Sequence, residues 1–442
     1  MRRLNVWLET APTPIGTLVA TDYNVLDFAY TDDWLAAPTN HPLSLSMPIG
    51  PDPFGDVLTR AFFGNLLQEN AQLDQLIERE GLSRSDIVGI LAHVGADCAG
   101  AVSVLPEDHP PIKRPGDLAA DYDVLPDEEF RDIVARLAAG KSMPGERRDP
   151  SPLAGVRRKI SLAALANGGF GLPRRGSGAP TTHILKIPDP DHRHEARDEA
   201  FCTRLANDCG LPVGTCVDTD VDGQAILLIE RFDRHVDGVE VRRLHQEDFA
   251  QASGLPSELK YERRAGGDRR FDAAAIGRIL AATDRPALSH ALFLRMTFFN
   301  LLIGNNDNHA KNHGLLHRPG HSPQLSPFYD IVPVQTVSGF TDELAFNIGA
   351  AKVPEAITAD DLEHFALAIG LPPTGARALL ATAARDIITA LKPQAEKFPR
   401  EMGALDRQIG AAADHFNQIL GLGLALRGRD APITSGGGWR MS

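Results

Sequence analysis

Three short pieces of the chain combine the residue types that phosphoryl transfer needs. In Gly304-Asn305-Asn306-Asp307-Asn308-His309-Ala310-Lys311-Asn312 a carboxylate and a carboxamide stand five residues apart in a polar run that follows an apolar helix. Ser326-Pro327-Phe328-Tyr329-Asp330 adds a second carboxylate 23 residues beyond Asp307, after strand-like Gln324-Leu325. A transferred phosphoryl group spreads negative charge over three oxygens, so a carboxylate works beside it only when aimed at the nucleophile or when a metal ion intervenes. Asp307 can then take the proton of an attacking hydroxyl, while Asn312 and Asp330 offer hard oxygens to a Mg²⁺ ion that bridges nucleotide phosphates. Lys186, in the alternating run His183-Ile184-Leu185-Lys186-Ile187, supplies the permanent cation. Its ammonium is expected to reach phosphate and a helix carboxylate such as Glu199. Plainer readings compete: Asp307 and Asn312 also suit an ordinary helix-to-loop cap, and a lysine on an edge strand can snorkel to water. His309 reads as support for the loop backbone rather than as the base.

The elements that position these residues follow from hydrophobic spacing. Leu4 to Leu8 and Leu18 to Ala20 alternate as strands of a small sheet, and Leu66 to Gly81 has helical spacing. Pro106, Pro110, Pro111 and Pro115 mark a connector, after which Phe130, Ile133, Val134 and Leu137 recur at i, i+3, i+4 and i+7 until Gly140. Lys141 to Pro152 is polar and reads as an exposed loop leading to a strand at Ile160 to Ala163. A helix is expected from about Glu195 to Cys209 and a strand from Ala225 to Ile229. From Phe249 onward helices dominate: one capped by Ser289 and ending at Gly304, then 357–369, 375–391 and 404–421. The pattern divides the chain into an N-terminal mixed α/β subdomain (1–105), the remainder of a strand-rich lobe (106–240) and a helical lobe (241–442).

At 442 residues, 43% hydrophobic and 23% charged, the chain has the balance of a globular protein and is long enough for two or three core-bearing units. Its 45 Lys plus Arg against 58 Asp plus Glu leave a charge of −13, which repels nucleic acid unless a local patch or a partner supplies the contacts. Arg157-Arg158-Lys159, Arg263-Arg264 and Arg269-Arg270 are short and read as solvated faces. Four cysteines are too few for a disulfide scaffold and fit a reducing cytoplasm. Apolar stretches such as Phe298 to Ile303 fall short of the roughly 18–20 residues that cross a bilayer, so no membrane role is expected.

Several motif fragments fail on inspection. Asp218-x-Asp220-x-Asp222-Gly223 opens like a calcium loop, but its twelfth position is Ile229, and a hairpin turn fits better. Gly140-Lys141-Ser142 copies the end of a phosphate loop whose first glycine would be Ala135, inside a helix. Cys202, Cys209 and Cys216, with His183, His192 and His194, lack zinc spacing.

In order along the chain, Phe63-Gly64-Asn65-Leu66-Leu67-Gln68-Glu69-Asn70, Leu153-Ala154-Gly155-Val156, Ile184-Leu185-Lys186, Glu199-Ala200-Phe201-Cys202, Glu230-Arg231-Phe232-Asp233-Arg234, Asp307 to Asn312 and Pro327-Phe328-Tyr329-Asp330 resemble the HipA family of serine/threonine kinases, toxins of bacterial type II toxin–antitoxin pairs. The resemblance spans nearly the whole chain and implies an α+β, two-lobed protein-kinase-like fold with an added N-terminal mixed α/β subdomain and a helix-rich C-terminal lobe. It also implies that ATP and Mg²⁺ are bound. Lys186 corresponds to the nucleotide-phosphate lysine, Glu230, Arg231 and Phe232 to the hinge facing adenine, Asp307 to the catalytic aspartate, and Asn312 with Asp330 to the magnesium ligands.

The partners implied by the resemblance are a HipB-like helix-turn-helix antitoxin, operator DNA reached through that antitoxin, and an aminoacyl-tRNA synthetase, typically the glutamyl enzyme, as protein substrate. The sequence departs from the family at its mobile loop. Pro152 stands where an autophosphorylated serine is usual, which leaves Ser151 as the candidate phosphosite, and Arg157-Arg158 replaces the usual Gln followed by Pro or Glu. Two other functions compete: a kinase of small hydroxylated molecules, and a catalytically weak scaffold for an antitoxin–DNA complex.

Overall fold

The computed structural model describes residues 1–9, 11–67, 71–141, 158–264, 268–337, 339 and 341–426. Ser151, Pro152 and the Leu153-Ala154-Gly155-Val156 segment lie outside the described residues, as do Gln68, Glu69 and Asn70. The chain forms two compact units, one of 1–197, 214–257 and 315–326, the other of 198–213, 258–314 and 327–442.

The first unit opens with an antiparallel sheet in the order Leu26–Tyr30, Gly16–Ala20, Arg2–Leu8, Val102–Pro106. Alternation puts Leu4, Val6, Leu8, Leu18 and Phe28 on one face. They are buried with Phe62 and Phe63 of helix Asp56–Asn65 and with Val88 and Leu91 of helix Ile87–Val94. Gly16 is required here, because a Cβ would stand 2.3 Å from the Phe28 ring. The helix expected over Leu66 to Gly81 is shorter, Ala71–Glu80.

A six-stranded sheet follows in the order Cys216–Val221, Gln224–Glu230, His183–Ile187, Arg158–Ala164, Phe170–Pro173, Tyr122–Val124. Ile160, Leu162, Leu185, Ile187 and Ile226 bury one face of it with Ile133, Val134 and Leu137 of helix Asp127–Ala138. The calcium-like run forms the expected hairpin: Asp222 and Gly223 take φ of 52° and 84°, and Asp220 accepts from the Gly223 N–H at 2.7 Å.

The second unit is helical, built around Pro286–Ile303, which packs against Ala273–Ala281, Ala376–Leu391 and Gly403–Ile419. Ser289 does not cap it. The helix starts three residues earlier with Pro286 in its first turn, and buried Ser289 accepts a hydrogen bond from Thr283 Oγ1 at 2.8 Å. Among the described residues this is the one helix long and apolar enough to cross a membrane, a length that Arg295 and Asn300 hide from a reading by uninterrupted runs. Of that stretch, 61% is buried within the protein, as befits a core helix.

Candidate phosphoryl-transfer site

The loop that bears Asp307 begins where the core helix stops. Gly304 takes the left-handed conformation (φ 75°), and its missing side chain makes room for Gln335, whose Oε1 would lie 2.9 Å from a Cβ. Asn305 and Asn306, which follow, tie the loop down. Asn305 donates to Asn300 Oδ1 at 3.1 Å and accepts from the Asp307 N–H at 3.3 Å, and Asn306 donates to the Asp342 carbonyl at 2.9 Å. All three of Asn305, Asn306 and Asn308 are buried.

Asp307 is half-buried, and the phenol of Tyr261 donates to its Oδ1 at 2.6 Å. Its carbonyl accepts from Asn312 Nδ2 at 2.9 Å and from the His309 N–H at 2.8 Å, so Asn312, expected as a magnesium ligand, is fixed to the backbone of Asp307. Tyr329 donates to the Lys311 carbonyl at 2.8 Å, which tethers the Asp330 segment to the same loop, and the Phe328 N–H donates to the Pro212 carbonyl at 2.8 Å. Asp330 adopts φ 58°, a left-handed conformation that short polar side chains tolerate at a cost. Asp307, Asn312 and Asp330 are thus gathered in one unit.

Burial raises the Asp307 carboxyl above its ordinary value; the Tyr261 hydrogen bond opposes this, and the charge of Asp330 adds to it. A raised carboxyl is a better proton acceptor once ionised. His309 is pushed the other way, down to about 3, first by burial and then by the charge of Lys260. Its ring packs edge-on against Tyr261 at 4.9 Å, in keeping with support of the loop. Sequence reasoning missed Tyr261; the available signal was a single aromatic inside the charged run Lys260-Tyr261-Glu262-Arg263-Arg264.

The other expected residues belong to the first unit. Lys186 lies on a central strand, between Gln224–Glu230 and Arg158–Ala164, which removes the edge-strand explanation. It is half-buried on the face opposite Leu185 and Ile187, with buried Leu227 directly across on one side and Lys159 on the other. Two lysines directly opposite concentrate positive charge, an arrangement that costs stability unless an anion answers it. Glu230 is exposed at the end of the neighbouring strand, its N–H donating to Thr215, and Phe232 is half-buried.

Arg231 departs from expectation. Its guanidinium grips Asp233 through Nε at 3.0 Å and Nη2 at 2.9 Å, 7% exposed, and its N–H donates to Thr182. The side chain is spent on a buried ion cluster with Asp233 and Arg234, because a buried carboxylate needs a paired, hydrogen-bonded cation.

Among the described residues no three of His, Cys, Asp and Glu are grouped to hold a metal. Mg²⁺ does not need such a cage, since it is commonly held by one or two protein oxygens together with phosphates and water. The Asp330 carboxylate and the Asn312 amide oxygen, on an amide oriented by its bond to Asp307, fit that donor set.

Residues 4–105 match the HipA N-terminal domain and residues 151–391 the HipA-like C-terminal domain. This chain belongs to the HipA family. The serine/threonine-protein kinase toxin HipA of Shewanella oneidensis (strain MR-1) is 31% identical over 356 residues, which is 78% of this chain and 78% of that protein. A Sinorhizobium fredii protein, Y4mE, whose name classes it provisionally as a kinase, is 35% identical over 377 residues, 84% of this chain and 87% of its own length. A solved chain from the Shewanella oneidensis MR-1 complex of HipA, HipB and operator DNA has a TM-score of 0.77 at 26% identity, covering 95% of this chain and 98% of that one. The α+β, kinase-like fold expected for a HipA protein is the fold found.

Proposed function

We propose that this protein is an ATP-dependent serine/threonine protein kinase and the toxin of a toxin–antitoxin pair. One observation carries the reading: the carboxylate of Asp307 is oriented by Tyr261, its carbonyl holds Asn312, and the segment bearing Asp330 is tied to the same loop. Asp307 orients an acceptor hydroxyl and takes its proton. Asn312 and Asp330 hold Mg²⁺, which when bound neutralises phosphate charge. Lys186, beside Lys159, holds the phosphates of ATP, and the strand end at Glu230 with Phe232 meets the adenine, Arg231 contributing only backbone.

The HipA of Shewanella oneidensis is solved with HipB and operator DNA, and similarity over 95% of this chain supports a HipB-like antitoxin as partner. A net charge of −13 suits a division in which that partner makes most of the DNA contacts. An aminoacyl-tRNA synthetase, such as the glutamyl enzyme, is the substrate that family resemblance favours, and Ser151 is the candidate site of self-modification. The test is transfer from γ-labelled ATP to a protein panel and to a metabolite panel, with Asp307→Asn as control. Label in protein that is lost in the variant is the expected result. Label in metabolites alone, or full transfer by the variant, overturns the reading.

A further inference from the structure

Both peptide groups that flank Tyr261 are tied down. The Lys260 carbonyl accepts from the Ala310 N–H of the Asp307 loop at 3.1 Å, and the Glu262 N–H donates to the Ala345 carbonyl at 2.9 Å. The ring itself meets the Arg263 guanidinium at 4.0 Å from its centre and the His309 ring at 4.9 Å.

Glu262 adds a side-chain grip. Its Oε2 accepts from the Asn347 N–H at 2.7 Å and its Oε1 from Asn347 Nδ2 at 2.9 Å, so each carboxylate oxygen takes one donor of the same residue. Burial raises the Glu262 carboxyl above its ordinary value, and the bonds from Asn347 oppose that rise. Asn347 is anchored in turn. Phe346, just before it, is buried with its ring 5.8 Å from Phe271, 6.2 Å from Phe293 and 5.9 Å from Phe365. A few residues earlier, the Asp342 carbonyl accepts from Asn306 Nδ2 at 2.9 Å. A bonded path therefore leads from Asn347 through Glu262 to Tyr261 and on to the Asp307 carboxylate.

We infer that Glu262 is a positioning residue for the transfer: gripped by Asn347, it keeps the Tyr261 phenol on the carboxylate of Asp307. The inference rests on the kinase reading and adds to it a residue that acts through another. The phenol sits at the end of a long side chain, so a small rotation of the backbone at Tyr261 swings the hydroxyl through a wider arc. A displacement of about 1 Å at a reacting group can cost on the order of 100-fold in rate. A carboxylate suits the grip because both Asn347 groups are donors. An amide accepts on one side only and would set its own N–H against the second donor.

The test uses the full chain with two readouts. Tyrosine labelled with carbon-13 at Cζ gives one NMR signal for each of the five tyrosines, and that of Tyr261 is identified by its loss in Tyr261→Phe. Glu262→Gln is expected to move the Tyr261 signal and leave the other four in place. Transfer from labelled ATP to a protein panel that includes casein is expected to fall about tenfold in kcat in the same variant, at unchanged KM for ATP. In a Tyr261→Phe background the change is expected to cost less than about twofold, because the phenol that Glu262 holds is gone. Glu262→Gln combined with Asn347→Asp reverses donor and acceptor in the side-chain bond, and is expected to recover the signal and most of the rate. If Glu262→Gln does not fold, Asn347→Ala, which removes only the side-chain donor, carries the same comparisons. An unmoved Tyr261 signal, a full loss of rate in the Tyr261→Phe background, or a swap that rescues neither readout overturns the inference. A signal that moves as expected in a chain that labels no acceptor overturns the kinase reading and leaves the Glu262 grip standing.

Discussion

Tyr261 donates its phenolic hydrogen to Oδ1 of Asp307 at 2.6 Å, across 46 residues of chain. The bond fixes one carboxylate oxygen; under the proposed function the other oxygen takes the proton of the acceptor hydroxyl. Burial, followed by the hydrogen bond to Asp307, raises the phenol well above its ordinary value, so it stays a donor across the working pH range.

Tyr261→Phe is therefore expected to slow transfer while leaving nucleotide binding alone. A hydrogen bond to an ionised group contributes about 1.5–3 kcal/mol, which corresponds to roughly a 10- to 100-fold loss in kcat. MgATP affinity measured by calorimetry should stay within about twofold of the parent, well inside one tenfold step of 1.4 kcal/mol. A variant that loses ATP affinity but keeps kcat would show that the tyrosine serves the nucleotide instead.

Asp307→Asn is expected to remove activity without cost to stability. Burial raises the Asp307 carboxyl, so its ionised form is less favourable in the folded chain than in the unfolded one. That penalty is absent below the unfolded carboxyl value and develops as pH rises through the raised folded one. An amide of the same shape still accepts from Tyr261 and carries no charge to desolvate. Thermal unfolding at neutral pH should give a Tm equal to or above the parent; a loss exceeding about 1 kcal/mol would mean that the charge itself holds the loop.

Lys186, Asp307, Asn312 and Asp330 could be picked out as candidates because their signal is local: a charged residue in an apolar strand, a polar run directly after a core helix, or a carboxylate just beyond a short strand. Helix Asp127–Ala138 was legible for a similar reason, since Phe130, Ile133, Val134 and Leu137 show the period directly. Tyr261 was not, because its role is a pairing between distant parts of the chain. Ser289 looked like a cap but is a tertiary acceptor for Thr283, while Pro286 had already set the helix start. The Arg231 pairing left a trace that went unread: Arg231, Asp233 and Arg234 stand within four residues, at a turn between two strands, so the opposite charges were already neighbours in the sequence.

Arg231→Ala separates a structural from a nucleotide-facing guanidinium. Removing it leaves Asp233 buried with half its partners, and breaking such a pair typically costs about 3–5 kcal/mol. Urea unfolding should show a loss of that order, and whatever folded protein remains should bind MgATP with parental affinity. Normal stability with weakened ATP binding would restore the side chain to the adenine hinge.

Asp97 gives a stability prediction with a defined pH window. Its carboxylate is buried between Lys113 Nζ at 2.8 Å and Arg243 Nη1 at 3.2 Å, and Arg243 also bonds Glu9 at 2.7 Å. Burial alone would raise Asp97, but the charges of Lys113, Arg243 and Arg234 outweigh it and hold the carboxyl down at about 2. A depressed acid contributes stability that is fully present above its unfolded value, near 3.8, and is lost as pH falls through its folded value. The shift corresponds to about 2 kcal/mol. Asp97→Asn should therefore lower unfolding free energy by at least that order at pH 7 and by the same amount at pH 5. The gap between parent and variant should begin to close only below about pH 4, as the parent starts to take up the proton. A gap already closed at pH 5 would mean that the carboxylate is not held by these cations. A gap that persists undiminished below about pH 2 would mean instead that the lost stability comes from packing.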